Sequence, residues 1–265
     1  MKVLLWILGS LATATAALFA VLYWRQESLL FAPEKLPASF TPGGDGVSEL
    51  SIPVDGAVLS AFHLRLPAPR GVVFYLHGNA GNLASWFVDT DFYRKANFDL
   101  FMVDYRGYGK STGRITSEAQ LRGDVAAAWQ AVASRYRGRR VVLMGRSLGT
   151  ALAARLSADI HADLTILVSP YWSMRDVAAL HYPWVPGALL RYPLETWRDV
   201  ARIDTPVLLL HGDRDALIPI SHSERLLKVA RAGELVPVPG AAHNDLQDFP
   251  PYRAAIARRL AALPD

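Results

Sequence analysis

An α/β fold, with a mostly parallel central sheet and helices on both faces, is what the alternation of patterns along this chain predicts. Short, wholly apolar runs recur, as expected of strands buried on both faces. Between them lie stretches whose apolar residues repeat at helical spacing. One run, Val141 to Met144, passes straight into Gly145-Arg146-Ser147-Leu148-Gly149, and an Ala/Leu-rich helical pattern follows as far as Ala158.

From Val3 to Trp24 no charged residue occurs, a run long enough to cross a bilayer as a helix. Trp6 near one end, with Tyr23 and Trp24 at the other, suits the two interfaces. Ala12, Ala14, Ala16 and Ala17 offer signal-peptidase sites, but the apolar run continues through Leu18 to Leu22, so residues 1–27 read as an uncleaved anchor. Lys2 before it, and Arg25 and Lys35 diluted by Glu27 and Glu34 after it, favour a globular part outside the cytoplasm. Residues 28–46, punctuated by Pro33, Pro37, Pro42 and Gly43-Gly44, read as a tether.

Residues 47–265 read as one domain. Val47 to Val54 and Ala57 to Leu66, joined by Asp55-Gly56, form a β-hairpin pattern. Val72 to Leu76 and Leu100 to Val103 are the first buried strands, ending in His77-Gly78-Asn79-Ala80-Gly81-Asn82 and Asp104-Tyr105-Arg106-Gly107-Tyr108-Gly109. A helix capped by Ser117 and Gln120 carries Leu121, Val125, Ala128, Val132 and Tyr136 on one face. After the Ser147 turn come strands at Leu164 to Val168, Val207 to Leu210 and Leu235 to Val238. Ser221 with Glu224 is expected to cap a helix through Ala230, and Tyr252, Ile256, Leu260 and Leu263 line a final one. Residues 170–203 break the alternation: Tyr171, Trp172, Tyr182, Trp184, Tyr192 and Trp197 sit in an insertion too long for a connection. It reads as a lid over an acyl pocket, with Tyr171, Trp172, Tyr182 and Trp184 on the substrate, or as a helical excursion whose aromatics pack on the core.

Composition narrows the chemistry. At 265 residues, 51% apolar and 20% charged, the chain suits one packed domain. The absence of cysteine excludes disulfides, thiolate metal sites and cysteine nucleophiles. Net charge is +4, and the densest basic group, Arg135, Arg137, Arg139 and Arg140, reads as a solvated helix terminus, with anionic lipid contact as the alternative. No nucleic-acid-binding motif accompanies it.

A serine hydroxyl attacks a carbonyl only if it is presented clear of the backbone, beside a base and near donors for the developing oxyanion. A sharp strand-to-helix turn does this, with Gly145 and Gly149 removing Cβ atoms where strand and helix pass closely. The Leu148 N–H then points toward the oxyanion, and the Asn79 N–H is the expected second donor. His243 follows the last strand in a Gly-containing loop, from which its ring can reach Ser147. His77 and His211 open loops after strands and are expected to orient them; His63, His161, His181 and His222 carry no signal of catalysis. After Val207 to Leu210 come two candidate acids, Asp213 and Asp215.

The domain resembles the α/β-hydrolase superfamily, and within it the membrane-anchored serine hydrolases that include acylglycerol lipases and protein depalmitoylases. The resemblance rests on His77 to Asn82, Asp104 to Ser111, Gly145 to Gly149, His211 to Asp215 and Gly240 to Asp245. It implies Ser147 as nucleophile, Asp215 as orienting acid and His243 as base, and makes Asp104 to Gly109 a structural loop. Ala242 departs from the pattern, since relatives often carry a glycine there. The expected activity is hydrolysis of a lipid-like ester or thioester, as by a lipase or thioesterase, without metal or organic cofactor. A prolyl-oligopeptidase-like peptidase and a non-catalytic scaffold at a membrane are the alternatives.

Overall fold

The computed structural model describes residues 1–264. In chain order the elements are α1 (Lys2–Trp24), α2 (Gln26–Leu30), β1 (Ala32–Pro33), β2 (Val47–Val54), β3 (Ala57–Leu64), β4 (Gly71–Leu76), β5 (Ala80–Gly81), α3 (Leu83–Trp86), α4 (Thr90–Ala96) and β6 (Phe98–Val103). Then follow α5 (Glu118–Ala133), β7 (Arg140–Arg146), α6 (Gly149–Ile160), β8 (Leu164–Val168), α7 (Met174–His181), α8 (Thr196–Val200), β9 (Val207–Gly212), α9 (Ser221–Val229), β10 (Gly233–Val238) and α10 (Pro250–Ala261).

The main sheet has eight strands in the order β10-β9-β8-β7-β4-β6-β3-β2. From β6 to β10 every pairing is parallel, and the β2–β3 hairpin adds an antiparallel edge. Side chains alternate between the faces, so each central strand feeds two cores. Phe74, Leu143, Leu167 and Leu209 pack with α5, α6 and α9 on one side. Tyr75, Met144, Ile166 and Leu210 pack with α4 and α10 on the other. The sheet's centre is therefore dry on both faces, which is why these strands read as continuous apolar runs.

The local signals explain most ends. Ser117 accepts a hydrogen bond from the Gln120 N–H (3.1 Å), while the Gln120 side chain reaches back to the Thr116 N–H (2.9 Å) instead of closing a box on Ser117. Ser221 is a correction: it is the first helical residue of α9, Ile220 stands at the cap, and no side chain caps that end. Residues 83–86 and 90–96, which carry little periodicity, form the short helices α3 and α4. The basic group is also only partly a solvated terminus. Arg135 reaches the buried Asp99 at 3.1 Å and Arg140 reaches Asp163 at 2.9 Å, so both tie strand ends together.

Residues 28–46 differ from a tether at their start. Phe31 is buried and β1 pairs in parallel with β5, with the Ala32 N–H donating to the Asn79 carbonyl (2.8 Å) and the Glu34 N–H to that of Gly81 (3.0 Å). The prolines that suggested a loose spacer instead keep this strap extended along the loop after β4. The 23-residue helix α1, whose most apolar 18-residue stretch has mean hydropathy 2.0, contributes no buried residue to the core.

Candidate active site

Ser147 occupies the turn between β7 and α6 with φ +49°, a left-handed conformation that a non-glycine residue adopts at a cost. Two contacts hold it: its N–H donates to the Val168 carbonyl (2.9 Å), and its carbonyl accepts from the Thr150 hydroxyl (2.6 Å). The flanking glycines are required by space. A Cβ on Gly145 would lie 2.3 Å from the Gly149 carbonyl oxygen, and one on Gly149 would lie 2.1 Å from that of Leu76. Any side chain at either position would push α6 off the sheet and move the serine.

The hydroxyl of Ser147 lies 3.0 Å from Nε2 of His243, and Nδ1 of the same ring lies 2.7 Å from Oδ2 of Asp215. Asp215 is buried, and its other oxygen accepts from the Leu217 and Ile218 N–H groups at 3.0 and 2.8 Å. Burial alone would raise its pKa. Hydrogen bonds from His211, His243 and the Ile218 N–H outweigh that and hold the carboxyl well below the usual carboxylate range. With Asp215 ionised, Nδ1 of His243 carries the proton and Nε2 is free to accept from Ser147. Asp213 lies elsewhere: it is exposed and accepts the Gly240 N–H at 2.7 Å, bracing the histidine's loop without touching the ring.

Asn79 and Leu148 flank Ser147 in the wall of one cavity. Among the described residues neither backbone N–H is taken by a turn or cap hydrogen bond. The loop bearing Asn79 is held from below by the Tyr105 hydroxyl on the His77 carbonyl (2.8 Å) and the Tyr108 hydroxyl on the Asn79 carbonyl (2.6 Å). The Asp104 to Gly109 run is thus a bracket for the loop beside the serine. His77 contributes packing, with its ring 4.2 Å from that of Tyr105.

The cavity, about 590 Å³, has a mostly aliphatic and aromatic lining. Its polar groups are few, and no carboxylate is among the described residues that line it. Tyr171, Tyr182 and Trp184 contribute to the wall; Trp172 does not. The Trp172 ring instead stacks on Trp197 at 5.5 Å and carries the Arg225 guanidinium 4.3 Å from its centre. Tyr171 is fully buried and donates its hydroxyl to the Leu148 carbonyl (3.1 Å), which supports the first turn of α6. The insertion forms part of the cavity wall at Tyr182 and Trp184 and packs as an excursion at Trp172 and Trp197.

One participant, Arg146, escaped the sequence reading, while His211 orients its loop as expected. Arg146, the variable residue before the serine, donates to the His243 carbonyl (3.1 Å) and to Gln247 Oε1 (2.8 Å), so the turn and the histidine loop share one clamp. His211 is fully buried between Ser223 Oγ (2.7 Å) and the Ile218 carbonyl (2.6 Å), with Nε2 3.3 Å from Asp215. Arg146 had no local signal, since its partners lie 97 and 101 residues further along the chain. Ala242 keeps an ordinary backbone conformation and donates to Asp245 Oδ1 at 2.7 Å, so its methyl group disturbs nothing.

Comparison with known proteins places this geometry. The family described as serine aminopeptidase, S33 (Hydrolase_4) matches residues 67–192. An uncharacterized protein of Mycobacterium tuberculosis strain H37Rv is 31% identical over 254 residues, covering 90% of this chain and 88% of its own length. Alpha/beta hydrolase domain-containing protein 17B of Xenopus laevis is 32% identical over 204 residues, covering 74% of this chain and 68% of its own. Among solved structures, the Pyrococcus furiosus esterase Pf2001 superposes with a TM-score of 0.71 at 19% identity, over 88% of this chain and 97% of the esterase. Est1E of Butyrivibrio proteoclasticus with bound ferulic acid gives a TM-score of 0.65 at 18% identity, over 80% and 96%.

Proposed function

We infer the chemistry from one premise: this chain belongs to the α/β-hydrolase family. Within that family it acts as a serine acyl hydrolase on lipid-like esters or thioesters. The observation that carries this reading is the unbroken line Ser147, His243, Asp215, whose serine opens onto an apolar cavity.

In the proposed reaction Ser147 Oγ attacks the acyl carbonyl carbon while its proton passes to His243 Nε2. The Asn79 and Leu148 N–H groups take the oxyanion of the tetrahedral intermediate. Asp215 stabilises the imidazolium without accepting its proton, in keeping with a carboxyl held so strongly ionised. His243 next protonates the leaving alcohol or thiol, then draws a proton from water, which attacks the acyl-enzyme; return of that proton to Ser147 Oγ as its bond to the acyl carbon breaks frees the acid and restores the serine. The acyl chain lies along Tyr182, Trp184 and the aliphatic wall. The whole is anchored by α1, with the globular part outside the cytoplasm.

The matched family's description names an aminopeptidase, which needs a carboxylate to neutralise the substrate's α-ammonium group. The cavity presents none, and a bare ammonium group in such an apolar lining would be costly. An ester or thioester carries no such charge.

The test is initial rates of the full chain in detergent on p-nitrophenyl esters from acetate to palmitate, beside its Ser147→Ala variant and a panel of amino-acid p-nitroanilides. Serine-dependent ester hydrolysis peaking at medium or long chains is expected. Ester hydrolysis that survives Ser147→Ala, or cleavage of the anilides alone, would overturn it.

A further inference from the structure

The cavity over Ser147 is completed by the end of the apolar helix. Leu22 of α1 and Gln26, Leu29 and Leu30 of α2 form part of its wall, adjoining the insertion. Gln26 is buried and pins that wall: its Nε2 donates to the Leu189 carbonyl (2.6 Å) and its Oε1 accepts from the Arg191 N–H (2.8 Å). Glu27 adds an ion pair to Arg191 (2.7 Å) and accepts the Tyr192 hydroxyl (2.7 Å). The end of the apolar helix and the roof of the cavity are therefore tied together through α2.

The lip of this cavity is unusually apolar for a surface in water. Leu29, Tyr182, Trp184 and Leu217 all line it, yet they are 65%, 57%, 54% and 47% exposed. They continue the surface of α1 through Leu22 without an intervening charged residue in the lining. At 1.5 Å per residue α1 is about 34 Å long, close to the hydrocarbon thickness, so its last turn reaches the interface and α2 starts there. On the other side of the same helix end lies a hollow lined by Trp24, Arg25, Arg114 and Arg191, groups suited to the level of phosphate headgroups. Covering the lip with lipid would remove this apolar surface from water, which is favourable.

We propose that the lip formed by Leu29, Tyr182, Trp184 and Leu217 is embedded in the leaflet at which α1 ends, so that the acyl chain of a membrane-resident ester enters the cavity from the bilayer without crossing water. This rests on the acyl-hydrolase reading and specifies it: the substrate is an ester whose acyl chain lies in the same membrane as the enzyme. The occupant follows from continuity with α1 and from the apolar lining of the path between lip and serine.

The chain has no cysteine, so single labels report cleanly. The full protein carrying Trp184→Cys, or Arg137→Cys before β7 as a reference, is labelled with the environment-sensitive NBD fluorophore and placed in phosphatidylcholine–phosphatidylglycerol vesicles. Blue-shifted emission quenched by a shallow nitroxide lipid is expected at position 184 and not at 137; equal, water-like emission at both overturns the proposal. In parallel, Leu29→Asp/Trp184→Asp should lower the ratio of turnover of monoolein in the enzyme's own vesicles to that of soluble p-nitrophenyl butyrate about tenfold, and an unchanged ratio overturns it. A wild type that hydrolyses neither substrate defeats the acyl-hydrolase reading, while the label still decides where the lip lies.

Discussion

The floor and the roof of the cavity are built by different means. At the floor, Ser147 with His243 and Asp215 behind it project from loops at the carboxyl ends of β7, β10 and β9; Ser147 and Asp215 are each held by two hydrogen bonds to neighbouring residues, and His243 by one from Arg146. In the roof, α7 is short and has no buried residue, and the wall is made by apolar packing with a few pins to α2. In the proposed reaction, positional accuracy is concentrated where protons would move, and adaptable apolar surface where an acyl chain would be accommodated. Substitutions in the floor should therefore act on kcat, and substitutions in the roof on substrate choice and on local stability.

The largest expected effects test the floor. His243→Ala should lower kcat by about 10⁵-fold or more, and Asp215→Asn by about 10⁴-fold, because the amide favours the wrong imidazole tautomer. Asp213→Asn should cost less than about tenfold, since Asp213 braces only the Gly240 N–H. Rates on p-nitrophenyl butyrate, with circular dichroism to confirm the fold, decide the ranking. A larger loss at Asp213 than at Asp215 would mean that the orienting acid has been misassigned.

Arg146 sharpens the same point at a smaller scale. Removing its fork frees the His243 carbonyl and Gln247, and a displacement near 1 Å is enough to cost about 10²-fold. Arg146→Ala should lower kcat by about 10- to 100-fold with little change in KM. Arg146→Lys should recover little, because a single ammonium cannot bridge both acceptors. A purely structural role would instead show as a lower melting temperature with kcat intact.

The contrast between the regions also governs what could be read from the chain. The sheet was legible because strands buried on both faces must be apolar throughout, and Leu164–Val168 matches its run end for end. The serine turn was legible because Gly145 and Gly149 are sterically required. Choosing between Asp213 and Asp215 needed the resemblance, since two carboxylates two residues apart look alike until the loop is folded. The strap at residues 31–36 was hidden because its hydrogen bonds run to Asn79, Gly81 and Gly109, which no local pattern connects to it. In the insertion, aromatic content alone could not separate Trp184 on the cavity from Trp172 on Trp197, because the residue type is the same whether the ring stays half-exposed at a cavity mouth or stacks on another ring.

The roof's pin to α2 gives an effect on stability. Gln26→Leu keeps the volume but leaves the Arg191 N–H without its acceptor, which costs about 1–3 kcal/mol for a buried donor. The full chain in detergent should melt several degrees lower, and protease sites within residues 182–191 should open first. Cleavage appearing first in the sheet would show that roof and floor unfold together.

Acid should separate the two regions through His222 and Asp215. Nδ1 of His222, on α9, accepts the Trp172 N–H at 3.1 Å, so this bond requires an unprotonated nitrogen. Burial lowers the His222 pKa, with Arg225 adding to it against the opposing pull of Asp176. The unfolded chain takes up a proton near pH 6.5 and the folded one resists until lower pH. Stability contributed at His222 is thus fully present above about pH 6.5 and is lost as pH falls toward its folded value. Asp215, depressed below the usual range, gives up its contribution only below about pH 3.9. His63, lowered to about 4 chiefly by burial, titrates in the upper window too and must be removed from the comparison. In a His63→Gln background, melting temperature should fall between pH 6.5 and 5, and His222→Asn, which keeps an acceptor in place of Nδ1 and cannot titrate, should flatten that slope. A slope unchanged by His222→Asn would mean that the roof's attachment at Trp172 does not depend on this proton.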